Sequence, residues 1–365
     1  MLTGGRRVLM ARTDNLGDVL LTGPAVRAVA ASGAEVHYLC SPQGRPAAEA
    51  LPGVKSVIDA AIPWIDADPP AAGRAAMERL TDRLAETEAE EAIILTSFHQ
   101  SPLPLALLMR MAGVARISAI SVDYPGSLLD LRHRVEDDIH EVERALSLVA
   151  AAGFELPDDD DRRLHIRLDP PLGAPSMPPV GGGPGYVVVH AGASVPARAW
   201  APGRHAELIA ALTALGRRVV LTGGRGEKPL TAHLTTRASQ PGSVVDLAGR
   251  TDFPTLARVI SGADALVCGN TGPAHLAAAT GTPVVSIFAP TVPAVRWRPW
   301  MTPHVILGRQ DIGCAGCRAR ECPVPGHPCI SQIPVESVIG AVEKIGRSWP
   351  APASRLPASA QAVLS

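Results

Sequence analysis

Residues 264–290 read DALVCGNTGPAHLAAATGTPVVSIFAP. An apolar run, Ala265–Cys268, stops at the turn Gly-Asn-Thr-Gly-Pro. An alanine-rich stretch at helical spacing follows, then a second apolar run, Pro283–Ala289. Short, wholly apolar runs separated by a helix mark parallel strands buried on both faces and joined by crossovers. Pro273 suits the first helical turn, where its missing N–H is no loss, and Gly272 removes a side-chain obstruction at the helix mouth. Unpaired N–H groups at such a mouth carry partial positive charge suited to phosphate. Thr271 either caps the helix or bonds a phosphate oxygen; His275 either touches that phosphate or only orders the turn.

The same alternation extends in both directions. Upstream lie YVVVHAGAS (186–194), a helix RHAELIAALTALG, a strand RRVVLTGG, a further helix, SVVDLAG and the helix DFPTLARVISGA; downstream, PVESVIGAVEKIG reads as the final helix. The amino-terminal half repeats the pattern with RRVLMA, the loop RTDNLGD, VLLTGPAVRAVAAS at helical spacing, EVHYLC, EAIILTSF, ARISAIS and the amphipathic HEVERALSLVAAAG. Between the halves, LDPPLGAPSMPPVGGGPG (168–185) is too dense in proline and glycine for regular structure. The expected organisation is α/β, with two doubly wound parallel-sheet domains facing a cleft. They span residues 1–170 and 186–347, joined by a linker at 171–185 and followed by a disordered Ala/Ser/Pro tail at 348–365.

At 365 residues the chain suits two cores better than one. Its net charge of -1 gives no basis for nucleic-acid binding. The charge is uneven, however: residues 1–170 hold 17 basic against 26 acidic side chains, and residues 171–365 hold 17 against 9. Either the two halves attract each other or the second half receives an anion. Apolar stretches are too short or too interrupted for a leader or a spanning helix; Arg110 and Arg116 break the longest. A cytoplasmic location is expected, with at most peripheral contact at the inner face of the cytoplasmic membrane.

Ligands of open parallel sheets bind beyond the carboxyl ends of the strands. In the second half those ends carry HAGAS (190–194), TGGRGE (222–227), DLAG (246–249) and GNTGP (269–273). No G-x-G-x-x-G follows an apparent strand and no G-x-x-x-x-G-K-[ST] is present, so dinucleotide and P-loop readings lose their support.

These loops, together with RTDNLGDVLLTGPAVRAV and CAGCRARECPVPGHPC, make the chain resemble the glycosyltransferase family 9 heptosyltransferases across both halves. The resemblance implies a GT-B fold built from two Rossmann-like domains, the first binding acceptor and the second binding a nucleotide-diphosphate sugar. It implies inverting transfer of heptose or a similar sugar from an ADP-sugar to a glycan hydroxyl, such as lipopolysaccharide core, with no cofactor needed for catalysis. Charge growing on a departing diphosphate must then be met by helix N-termini, backbone donors and arginine or lysine.

Residue by residue, Asp18 matches the family's proposed base, the alternative being an N-cap for the helix near Val19. Asp14 is a second carboxylate nearby, and Gly17 would allow close approach to the donor. Arg198 falls where the relatives carry a lysine near a tryptophan, here Trp200, and would clamp the diphosphate with a different geometry. Ser194 resembles a phosphate-contacting hydroxyl, and Glu227 a carboxylate that accepts from ribose hydroxyls or is simply solvated. Asn270 departs from the family's aspartate. An amide donates and accepts but brings no charge, which leaves the donor sugar open between heptose and an analogue. Thr271, Gly272 and His275 retain the remainder of that motif.

Cys314, Cys317, Cys322 and Cys329, with His327 among them, form C-x2-C-x4-C-x6-C. Tetrahedral zinc in a structural role and a set of reduced or redox-variable thiols are the two readings. The acidic first half favours a neutral or cationic acceptor, a surface glycan or small natural product, over a phosphorylated one. A nucleotide-sugar epimerase and a non-catalytic nucleotide-sugar-binding protein are the rival functions.

Overall fold

A computed structural model describes residues 5–66, 69–172, 185–240 and 242–346. Most of the expected linker and the whole of the expected tail lie outside the described residues. The chain divides into two compact units, one of residues 1–169 with 295–300, the other of residues 170–294 with 301 onward.

The first unit begins with β1 (Arg7–Arg12), α1 (Leu16–Leu20), α2 (Gly23–Ala31) and β2 (Glu35–Cys40). It continues through α3 (Arg45–Ala50), β3 (Val54–Asp59), α4 (Arg74–Ala85) and β4 (Glu91–Ile94). α5 (Leu103–Met111), β5 (Arg116–Ile120), β6 (Leu131–His133) and α6 (Glu141–Ala151) complete it. The strands form one parallel sheet in the order β3-β2-β1-β4-β5-β6. Central β1 is apolar from Val8 to Ala11 and buried throughout that run, as a strand covered on both faces requires. Leu9, Ala11, Leu39, Ile94 and Ile117 join side chains of α4 and α5, including Leu80, Leu84 and Met109, in one core.

The stretch 19–32, expected as one helical segment, is broken. α1 ends at Leu20, and α2 starts at Gly23 with Pro24 in its first turn. Proline lacks the N–H that would continue the ladder, and its ring would collide with the carbonyl four residues earlier, at Leu20. The break makes α1 a single short turn of helix, with Asp18 inside it.

The second unit repeats the plan. β7 (Tyr186–His190) leads through a 3-10 turn (Pro196–Arg198) to α7 (Pro202–Ala214) and β8 (Arg218–Thr222). A second 3-10 turn (Arg225–Glu227) precedes α8 (Lys228–Thr235), β9 (Val244–Asp246) and α9 (Phe253–Ser261). β10 (Ala265–Gly269), α10 (Gly272–Ala279), β11 (Val284–Ile287), α11 (Ala294–Trp297), β12 (His304–Leu307) and α12 (Val335–Ile345) follow. The parallel sheet runs β12-β11-β10-β7-β8-β9. Val187, Val189, Val219, Val267 and Val285 pack beneath α7 and α12 through Leu208, Leu212, Val338 and Val342.

Both sheets therefore reverse their strand order once, between β1 and β4 and between β7 and β10. Strands on either side of a reversal send their connections to opposite faces, which opens a crevice at their carboxyl ends. No helix among the described residues is long and apolar enough to cross a membrane.

Candidate active site

In the first unit the reversal point is occupied by charge. Arg12, the last residue of β1, is a guanidinium with only 4% of its side chain exposed. Its Nη1 donates to Glu141 Oε2 at 2.8 Å, and its Nη2 to Ser97 Oγ at 2.9 Å and Asp18 Oδ1 at 3.2 Å. Nε lies 2.6 Å from Asp14 Oδ2, an ion pair without hydrogen-bond alignment. Glu141, at the first position of α6, is 2% exposed and also stands 4.0 Å from Arg144 Nη1. Gln100, in the loop after β4, donates through Nε2 to Asp14 Oδ1 and accepts the Ser97 N–H at 3.0 Å. Three carboxylates thus share one buried guanidinium, whose fork of five donors can serve several acceptors at once. Their company holds Arg12 firmly in its charged form.

Asp18 is the member of this group that meets solvent, with 20% of its side chain exposed. It sits within α1 and is not the N-cap; Asn15 holds that position. Trp297 Nε1 donates to Asp18 Oδ1 at 3.4 Å, from a segment far along the chain that belongs to the same unit. Loss of hydration raises the Asp18 pKa to about 6. The negative charges of Asp14 and Glu141 add to the rise, while Arg12 and the Trp297 donor oppose it. A carboxyl poised there is ionised at neutral pH yet basic enough to take a proton from an alcohol as the alcohol attacks. Gly17 is buried in α1 beside it. Arg296, adjacent to Trp297, lies over the Phe98 ring at 3.8 Å from its centre and pairs with Asp138 at 3.0 Å.

In the second unit the loop after β7 spans the reversal point. Its start is built around Glu227: a Cβ on Gly192 would lie 1.5 Å from Glu227 Oε1, so only glycine admits the carboxylate as placed. Glu227 Oε2 accepts from the Gly224 N–H at 2.7 Å. The end of the loop is Arg198, whose Nε donates to Thr291 Oγ1 at 3.2 Å and whose carbonyl rests against Gly269. Ser194, between them, is exposed. Asn270, in the loop, is 8% exposed, and His275, within α10, is 3% exposed. Thr271 occupies the N-cap position of α10 in extended conformation, without a side-chain capping bond to the helix. Trp200 packs edge-on against His205, behind Arg198. His190, ending β7, shares a hydrogen bond of 3.1 Å with Thr222 Oγ1, and burial lowers its pKa.

Cys314, Cys317, Cys322, Cys329 and His327 line one pocket with Ala197 and Thr291. Tetrahedral zinc requires thiolates converging on one point. Among the described residues no group of three or more His, Cys, Asp or Glu side chains is disposed to hold a metal ion, so a structural zinc is not shown. The thiols are free: Cys322 Sγ donates to Val324 O at 3.5 Å, and burial pushes the Cys329 thiol up. Backbone turns explain the arrangement. Arg318 and His327 adopt left-handed φ of 53° and 50°, and the loop uses its main chain as a brace. Arg320 O accepts from the Ala197 N–H at 2.9 Å, Arg318 N donates to Thr291 O at 2.9 Å, and His327 Nε2 meets Ala197 O at 3.1 Å. Both flanks of the Arg198–Thr291 contact are thereby held. The sequence signals this cluster but not that role.

Comparison with known proteins places these features in a family. The model of glycosyltransferase family 9 (heptosyltransferase) matches residues 77–327. The chain belongs to glycosyltransferase family 9. Lipopolysaccharide heptosyltransferase 3 of Escherichia coli is 30% identical over 205 residues, covering 54% of this chain and 55% of that protein. Lipopolysaccharide heptosyltransferase 1 of Pseudomonas aeruginosa is 27% identical over 346 residues, 87% of each. The chain spans about half the length of the first curated relatives it matches, 55% and 46%. Among solved structures, E. coli heptosyltransferase WaaC with ADP-2-deoxy-2-fluoro heptose superposes with a TM-score of 0.69 at 22% identity, covering 93% of this chain and 99% of that one. The expected GT-B fold holds for this family member.

Arg12, Glu141 and Trp297 are what sequence reasoning missed. Arg12 had one signal, a charged residue ending an apolar strand. Glu141 and Trp297 had none, because 123 and 279 residues separate them from Asp18.

Proposed function

We propose that this protein is an inverting, metal-independent glycosyltransferase that moves heptose or a similar sugar from an ADP-sugar to a glycan hydroxyl. Asp18 is the general base, and the observation that carries the reading is its setting: a solvent-reaching carboxyl at the sheet reversal, with its pKa raised to about 6. The acceptor hydroxyl gives its proton to Asp18 as its oxygen bonds to the sugar's anomeric carbon. The bond from that carbon to the diphosphate breaks on the opposite face, so configuration inverts. The second unit receives the nucleotide: Arg198 and the amides at the mouth of α10 meet the growing charge on the diphosphate, with Ser194 and Thr271 as hydroxyl donors. Glu227 accepts from the ribose hydroxyls. Asn270 contacts the sugar as a neutral group, His275 orders the turn from within the helix, and Gly17 gives the donor room beside Asp18. The loop that carries the four cysteines braces the Arg198 turn through its main chain and His327, and the transfer itself needs no cofactor.

The ADP-sugar follows the nucleotide analogue in the WaaC structure, and a lipopolysaccharide-type acceptor follows the relatives' names. The excess of acidic side chains in residues 1–170 favours an acceptor region free of phosphate. Catalysis at the inner face of the cytoplasmic membrane fits such an acceptor. The test is product analysis with ADP-heptose and a panel of core oligosaccharides, phosphorylated and dephosphorylated, alongside neutral glycans and aminocyclitols. Loss of turnover by about 10²- to 10⁴-fold in a folded Asp18→Asn variant is expected for removal of a general base. Isomerised or hydrolysed donor in the absence of acceptor would identify an epimerase, and donor binding without turnover a non-catalytic protein.

A further inference from the structure

We propose that Glu141 is a positioning residue for Asp18, because the two carboxylates compete for the one guanidinium, Arg12, that both contact. The inference rests on Asp18 being the base. Glu141 is 2% exposed and reaches no substrate, so any effect on turnover passes through its neighbours. It takes Arg12 Nη1 at 2.8 Å, leaving Asp18 the longer contact at 3.2 Å through Nη2, which is shared with Ser97. α6 starts at Glu141. His140, the N-cap, fixes that start by accepting the Val142 N–H through Nδ1 at 3.2 Å and bonding Arg298 O through Nε2 at 2.9 Å.

A guanidinium held by Glu141 and Asp14 is only partly available to neutralise Asp18, and that is what keeps Asp18 a competent proton acceptor. Given to Asp18 alone, Arg12 would pair with it fully and make it a weak base. The charged and titratable groups facing this network are few. Arg12 comes from β1, Tyr38 from β2, Asp14 from the loop before α1, and Glu141 and Arg144 from α6, while Asp66 faces Asp14 and Asp137, before α6, faces Arg144. Residues 295–300 add Arg296, which is occupied by Phe98 and Asp138, and the neutral donor Trp297. Of these, Asp14 and Glu141 oppose ionisation of Asp18, and Arg12 and Trp297 favour it. Glu141 is thus the one opposing carboxylate that lies on a different element from Asp18 and its loop.

The experiment is the pH dependence of kcat/KM for Glu141→Gln and Glu141→Asp beside the wild type, with thermal melts confirming folding. Glu141→Gln removes a negative charge and frees Nη1, so the acidic limb is expected to move down by roughly half to one unit. The plateau rate falls with it, because the base is weaker. Glu141→Asp keeps the charge but withdraws it by a methylene, so a smaller downward move is expected. It carries the test alone if the glutamine variant does not fold. A merely structural role lowers rates at all pH values and leaves the limb where it was, and an unmoved limb in a folded variant overturns the proposal. If Asp18→Asn instead retains near-normal turnover, the assignment of the base has failed, not the competition for Arg12.

Discussion

Gly192→Ala separates donor binding from folding. The new methyl would stand 1.5 Å from Glu227 Oε1 and 2.1 Å from its Cδ, an overlap that cannot persist. The obstructing atoms are the far end of a flexible side chain, so Glu227 swings away while the β7 loop stays in place. What the fold loses is the bond from the Gly224 N–H to Glu227 Oε2, worth about 1.5–3 kcal/mol because the acceptor is charged. Alanine returns about 0.4–1 kcal/mol by restricting the unfolded chain, since Gly192 needs no positive φ. The net cost is then about 1–2 kcal/mol, a fall in melting temperature of roughly 2–8 °C for a unit of this size. ADP affinity should drop much further. Displacing the carboxylate proposed to accept from the ribose would remove charge-assisted bonds worth about 1.5–3 kcal/mol, roughly 10- to 100-fold in Kd. Calorimetric titration with ADP, beside melts of wild type, Gly192→Ala and Glu227→Ala, checks this. Unchanged ADP affinity in Gly192→Ala would refute the role given to Glu227, and a collapse of the melt would refute the displacement argument.

Other outcomes follow from the same geometry. Wild-type kcat/KM should fall on acidification with a midpoint near 6, where Asp18 takes up its proton, and a limb near 4 would contradict the raised pKa. A carboxyl with its folded pKa above the unfolded value near 3.8 costs the fold stability once pH exceeds that unfolded value, and the cost is complete above about 6. Asp18→Asn should therefore melt higher than wild type at pH 8, with the gain fading as pH falls through 6 towards 4; a gain independent of pH would point elsewhere. Arg198→Ala should weaken ADP binding by about tenfold or more, and Arg198→Lys should restore part of it, because a point charge replaces a planar fork. Replacing Cys317 and Cys322 by serine should lower melting temperature and ADP affinity together through the Ala197 and Thr291 contacts. One zinc per chain surviving dialysis, by elemental analysis, would overturn the free-thiol reading.

The sequence put Asp18 in the segment after β1 and Glu227 in the turn after β8, yet the setting of each was beyond it. Asp18 read as a base, with an N-cap as the alternative, and the choice against the cap came from α1 beginning at Leu16 with Asn15 before it. Glu227 read as a solvated carboxylate or a ribose partner, and its place against Gly192 is visible only where the turn after β8 meets the loop after β7. The four cysteines had a metal-like spacing, but spacing along a chain constrains only how far sulfurs can be apart. What brings all four to one pocket is a set of turns such as those at Arg318 and His327.

The amino-acid sequence by itself determined the strand–helix alternation of this protein. Apolar runs four to six residues long, punctuated by glycine and proline, leave few ways to bury strands other than parallel sheets under helices. The tertiary structure alone decided which charges meet. Arg12, Asp18, Glu141 and Trp297 are joined by no periodicity and no motif. Only the reversal of strand order in a folded sheet brings the end of β1, the start of α6 and residues 295–300 within hydrogen-bonding distance, where exclusion of water gives their charges force.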